Sequence, residues 1–173
     1  MVPLSYSDAL VLPFFVYGTL KHGRSNHKSY FPPEVVADIV EAKTIAEKFR
    51  LYTTTKMGFP AVVEVYPLSQ VQGMVPETGT QIKGEIIHIK ENAPYPDILK
   101  EVDSLEQGYV RTQVLVVPEP TTILPGAEPP PAILAWMYLA APHWTLTIKK
   151  DWIWEKTGEW PPPLSAIVQE MLS

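Results

Sequence analysis

Nineteen prolines in 173 residues, well above the usual ~5%, constrain this chain more than any other feature. Each removes a backbone donor and breaks or kinks a helix interior. They concentrate at Pro32-Pro33, in six positions between 118 and 131, and at Pro161-Pro162-Pro163. The chain must therefore be assembled from short elements. Leu12 to Val16 reads as a buried first strand, and Phe49 to Thr53, Ala61 to Tyr66, Lys83 to Ile89, Tyr109 to Val117 and Ile133 to Ala140 read as further strands from their β-branched and aromatic content. Gly84 marks a bulge or a close backbone approach within one of them. Residues 24–34 read as an irregular or briefly helical connector. Val35 to Ala46 carries a helical signal at its start and a strand signal near Thr44-Ile45-Ala46.

One segment has a clear helical period. In 96–105, Ile98, Leu99, Val102 and Leu105 share a face from which Lys100, Glu101 and Ser104 point away. Asp97 suits the helix start, and Gly108 can end the helix or set the next turn. About seven strands and two or three short helices make an α+β chain rather than a βαβ array. The six-proline stretch 118–131 reads as a rigid connector. Trp144, Trp152, Trp154 and Trp160 read as a helix or short coil laid against the body, or as an aromatic binding surface; residues 164–172 read as a terminal helix docking on its own body or on a second subunit. The expected organisation is one domain over 1–173, with a core of about 13–140 and a Trp-rich extension over 141–173.

Several function classes lose their support at this level. Zero cysteines exclude disulfides, thiolate metal sites and thiol nucleophiles. The four histidines, His22, His27, His88 and His143, lack helical zinc spacing, so no metal is expected. A net charge of −5, from 14 basic and 19 acidic residues, gives no footprint for nucleic acid. No run approaches the ~20 apolar residues of a membrane span, and the first residues lack the features of a signal peptide; the expectation is a cytoplasmic protein with no membrane partner. Gly18 and Gly23 do not make a dinucleotide fingerprint or a phosphate loop, and no serine stands in a nucleophile-elbow pattern.

What remains is a loop and a carboxylate. Phe14 to Gly23 runs from an apolar strand into Tyr17-Gly18-Thr19-Leu20 and then turns polar; such a loop can hold bare backbone N–H groups beside a ligand. Glu106 follows Leu105 at the edge of the helix, where partial burial would raise its pKa toward the range useful for proton transfer, with Asp103 a neighbour that would raise it further.

The residues Val16-Tyr17-Gly18-Thr19-Leu20-Lys21-His22-Gly23 with Asn26-His27, then Gly58-Phe59-Pro60-Ala61-Val62-Val63, Lys83-Gly84-Glu85-Ile86-Ile87, Val102-Asp103-Ser104-Leu105-Glu106, Tyr109-Val110-Arg111 and Ala135-Trp136-Met137-Tyr138 resemble, in order, the gamma-glutamylcyclotransferase-like (AIG2-like) superfamily. The gamma-glutamylamine cyclotransferase branch is the nearest in appearance. The resemblance implies a small mixed β-barrel with flanking short helices. It implies Glu106 as the catalytic acid/base and Tyr17, Gly18, Thr19 and Leu20 as the loop holding the glutamyl end of a small γ-glutamyl substrate. Tyr109, Tyr138 and Arg111 stand at matched positions and are candidate substrate contacts, although Arg111 can equally hold the sheet together. No cofactor is implied. The expected activity is release of 5-oxoproline and an amine or amino acid. Two other readings use the same cavity: removal of a γ-glutamyl group from a larger acyl or amine intermediate, and non-catalytic binding with the tryptophan-rich segment as a partner surface. Only Gln107 and Gly108 separate Glu106 from Tyr109, a short turn that bears on where the carboxylate aims.

Overall fold

Eight strands and two helices follow one another along the chain in a computed structural model that describes residues 11–53, 59–65, 79–119, 128, 130–141 and 152–161. The elements are β1 (Phe14–Val16), α1 (His27–Tyr30), β2 (Val36–Thr44), β3 (Phe49–Thr53), β4 (Ala61–Glu64), β5 (Lys83–Ile89), α2 (Tyr95–Leu105), β6 (Tyr109–Pro118), β7 (Ile133–Ala140) and β8 (Ile153–Glu155). Five strands close a barrel in the order β1-β5-β2-β6-β7, and β4-β3-β8 form a separate three-stranded sheet. The seam that closes the barrel is parallel, β1 on β7 with Phe14 opposite Trp136. The remaining barrel pairs are antiparallel. This is the mixed barrel with short flanking helices, in the α+β class, that the resemblance implied.

Strand alternation sorts the side chains into two layers. Phe15, Tyr17, Ile86, Ala135, Met137 and Leu139 face one core with Val114, Val116, Leu51 and Val62. Their neighbours Phe14, Val16, Ile87 and Tyr138 face the other way, into a layer completed by Ile98, Leu99 and Val102 of α2 and by Phe31. β1 is buried on both faces, which is why it reads as an unbroken apolar run. α2 starts with Pro94 at its N-cap, a proline in its first turn and Asp97 near its exposed N–H groups. The small sheet packs on the end of β7 through Tyr52, Ala61, Val63 and Ala140.

Two expectations need correction. The helical signal at the start of Val35 to Ala46 is overridden: Val36–Thr44 is one strand, paired with β5 along its length and with β6 at its end. Val36, Ile39 and Val40 mimic a helical face, but neighbours on both edges satisfy the backbone, and a register shift between Val36 and Asp38 absorbs the irregularity. In the tryptophan-rich segment, Ile153–Glu155 is a strand on the edge of β3, with Tyr52 opposite Trp154, rather than a helix or coil. The turn after it places Gly158, at φ 67°, against the Gln81 carbonyl, where a Cβ would overlap backbone. The central part of the proline-rich connector and the expected terminal helix with its dimer contact lie outside the described residues. No helix among the described residues is long and apolar enough to cross a membrane.

Gly84 marks a close backbone approach. It pairs with Ala42 in regular register, and a Cβ there would meet the Val16 carbonyl oxygen and the tip of the Phe15 ring. The bulge lies elsewhere, on β2.

Candidate active site

β1 delivers the chain into Tyr17 and the loop Gly18-Thr19-Leu20, which doubles back through a turn closed by the Lys21 N–H on the Gly18 carbonyl at 3.0 Å. At Gly18 the bare backbone lies close under Pro60: a Cβ would stand 3.1 Å from the proline ring, tighter than side chains ordinarily pack, so the ring would have to give way by a few tenths of an ångström. From the other direction α2 ends at Glu106, whose N–H bonds the Val102 carbonyl at 3.0 Å. The Tyr109 N–H then closes on the Glu106 carbonyl at 3.0 Å, and Gly108, at φ 93°, makes the reversal into β6. The short Gln107-Gly108 turn thus fixes Glu106 from both sides.

These segments line one cavity of about 230 Å³, to which Tyr17, Gly18, Thr19, Leu20, Glu106, Tyr109 and Tyr138 all contribute. That volume lies under the ~300–1,000 Å³ of sites for drug-sized ligands and suits a small substrate. Burial pushes the Glu106 carboxyl up to about 7. Its place at the negative end of α2 acts in the same direction. Asp103 is not the cause; its carboxylate turns to other partners.

The three tyrosines are neutral phenols whose protons are already committed. Tyr17 Oη donates to the Tyr138 carbonyl at 2.7 Å, Tyr109 Oη to the Pro60 carbonyl at 3.2 Å, and Tyr138 Oη to Asp103 Oδ1 at 2.6 Å. Burial raises all three pKa values, reinforced at Tyr17 and Tyr109 by the Glu106 charge and at Tyr138 by its bond to Asp103. A phenol that donates its one proton to the protein offers a ligand only its lone pairs. Tyr17→Phe is expected to lower stability by about 1 kcal/mol through loss of the buried bond to β7, read as a shift in denaturation midpoint with unchanged m-value.

Arg111 is the one candidate the structure sets apart from the cavity lining. Its Nη1 donates to Asp103 Oδ2 at 2.7 Å and its guanidinium lies over the Trp136 ring, 4.8 Å from the centroid. The carboxylate it holds is the protein's own, so of its two readings the sheet-bracing one fits the geometry. Asn26, Phe59 and Pro60 also line the cavity without having been singled out; each sat inside a motif already quoted, but nothing in the spacing said which residues of those motifs face inward. His22 and His27 stack with ring centroids 5.2 Å apart. No cluster of metal-ligating side chains occurs among the described residues. Trp136, Trp152, Trp154 and Trp160 are half-buried, so the described tryptophans form no exposed patch.

Comparison with known proteins agrees with the fold. Residues 14–161 match the family described as Gamma-glutamyl cyclotransferase, AIG2-like. Over 107 residues the chain is 30% identical to Gamma-glutamylaminecyclotransferase A of Danio rerio, a match spanning 61% of this chain and 59% of that relative's length. The crystal structure of an AIG2-like protein from Mus musculus superposes with a TM-score of 0.55 at 22% identity, over 89% of this chain and 92% of that one. A uropathogenic E. coli-specific protein superposes with a TM-score of 0.53 at 17% identity, over 88% and 94%. A match covering all but the ends of the sequence, on a barrel of the same form, makes this chain a member of the gamma-glutamyl cyclotransferase, AIG2-like family.

Proposed function

We propose that the protein is a cyclotransferase acting on γ-glutamyl amines, releasing 5-oxoproline and the free amine. The observation that carries this reading is the Glu106 carboxyl, poised near pH 7 by burial, in the same cavity as the Tyr17-Gly18-Thr19-Leu20 loop. The family and the name of the Danio rerio relative support the reaction class.

The substrate's α-amine nitrogen attacks its own γ-carbonyl carbon, forming the lactam C–N bond and placing negative charge on the carbonyl oxygen. Collapse of that intermediate breaks the bond to the leaving nitrogen. Glu106, as carboxylate, takes one proton from the bound α-ammonium to free the attacking lone pair and gives it to the leaving nitrogen as the old C–N bond breaks. It then takes the second proton from the new ring nitrogen, which the released amine carries away as its ammonium; one carboxylate thus serves both steps and water is not consumed. Because the attack is intramolecular, holding the glutamyl end folded back supplies much of the rate. Tyrosine lone pairs suit the α-ammonium, while loop N–H groups suit the α-carboxylate or the developing oxyanion.

The test is to incubate the protein with γ-glutamyl amines, γ-glutamyl amino acids and glutathione while following 5-oxoproline. Turnover of the amines is expected; 5-oxoproline from none of them would overturn the reading. The base must start ionised, so kcat/KM is expected to hold level above pH 7 and to fall about tenfold per pH unit below it. A profile flat from pH 5 to 8 would remove Glu106 from the chemistry.

A further inference from the structure

The three phenols at the cavity have given their protons to the protein, so a hydrogen-bond donor for a ligand anion or an oxyanion must come from elsewhere in the lining. Among the described residues, the backbone N–H groups of Thr19 and Leu20 have no acceptor, and both residues line the cavity. Their direction is set by bonds made on the opposite side of their peptides. In a trans peptide the N–H points away from the C=O of the preceding residue, and no cis bond occurs in this loop. The Thr19 carbonyl accepts from the Asn26 N–H at 3.1 Å, which turns the Leu20 N–H the other way. The Leu20 carbonyl accepts from His27 Nδ1 at 2.9 Å. That bond fixes the next peptide, whose Lys21 N–H donates to the Gly18 carbonyl at 3.0 Å and so turns the Thr19 N–H. Asn26 Nδ2 adds a bond to Thr19 Oγ1 at 3.0 Å.

We propose that Asn26 and His27 are positioning residues: they clamp the loop's carbonyls from behind and thereby aim the Thr19 and Leu20 N–H groups as the site's anion or oxyanion donors. A carbonyl only accepts, so His27 carries its proton on Nδ1. The ring is 7% exposed, stacked on His22 and in tilted contact with Phe31, which restrains the imidazole for that bond. The catalytic part of the inference rests on the cyclotransferase reading; the clamp itself does not.

His27→Asn keeps a donor where Nδ1 stands, and His27→Leu keeps bulk without a donor. In His27→Leu, hydrogen exchange at the Lys21 amide is expected to accelerate at least tenfold, on the order of the loss of one hydrogen bond. kcat/KM for a γ-glutamyl amine is expected to fall by about 10²-fold, as for a misaimed oxyanion donor. His27→Asn is expected to restore most of both, with the two variants melting at similar temperatures. Exchange and kinetics alike in His27→Leu and the wild type, or no recovery in His27→Asn, would overturn the clamp. If the wild type turns over no γ-glutamyl compound, the proposed function fails while the exchange comparison still decides the clamp. If the wild type is active and only the His27 comparison fails, the function stands and the inference falls.

Discussion

Glu106→Gln is expected to lower kcat for a γ-glutamyl amine by about 10²–10⁴-fold, the range of a lost general acid/base, and at the same time to make the protein more stable at pH 8. The two effects share one cause. In the folded state the carboxyl titrates near 7, above the ~4.3 of an unperturbed glutamate, so between these values the native state binds a proton that the unfolded chain has released. Stability from this group is complete below about pH 4.3 and is lost as pH rises through 7. Above 7 the wild type carries a buried charge that the amide lacks. The gain for Glu106→Gln is therefore expected to be on the order of 2 kcal/mol at pH 8 and to vanish near pH 4–5. Denaturant titrations at the two pH values, run beside the 5-oxoproline assay, check both halves. Turnover that survives the substitution would remove Glu106 as the acid/base, and destabilisation at both pH values would mark it as a packing residue.

The second large effect is expected at a residue outside the cavity lining, packed against the strand that leads into it. Gly84→Ala would set a methyl group against the Val16 carbonyl oxygen, with the Phe15 ring tip on the same side. Backbone lies in the way, so relief requires β1 and β5 to part, and a loss of about 3 kcal/mol is expected. β1 leads directly into the Gly18-Thr19-Leu20 loop, so any such shift reaches the site, where a displacement near 1 Å lowers the rate by about 10²-fold. Equilibrium unfolding and steady-state kinetics on the variant measure the two losses. Shortening the ring by Phe15→Leu in the same protein should fail to rescue it; full rescue would show that the ring, not the strand spacing, imposes the glycine.

The sequence was most legible where local chemistry and tertiary environment agree. Phe49–Thr53, Lys83–Ile89 and Ile133–Ala140 are strands with the bounds their composition predicts, and α2 lies where Ile98, Leu99 and Val102 repeat at helical spacing. β2 was ambiguous because its apolar residues satisfy a helical period and only strands brought from far along the chain decide the matter. β8 escaped because three residues have no strand signal without β3 to receive them. Membership of the loop and of Glu106 in one cavity was foreseen through the family resemblance. The Asp103–Arg111–Tyr138 network was not: it joins a helix to two strands, and periodicity has no view of that. For Asn26 and His27 the residues were visible as part of a motif, but which carbonyl each one grips is a property of the folded loop alone.

The parallel seam between β1 and β7 has a kinetic consequence. Phe14 meets Trp136 only after the intervening barrel strands have emerged, and contacts of such sequence separation form slowly because the loop must be ordered before the pairing compensates. Tyr138, which completes the cavity wall, arrives on that same late strand. A growing chain therefore carries its glutamyl-loop candidate and Glu106 long before it has a closed pocket, and until then the β1 edge is open to wrong partners. Closure of the seam is the event that turns a set of correctly spaced residues into a site, so functional competence is expected to switch on late in synthesis rather than to accumulate strand by strand.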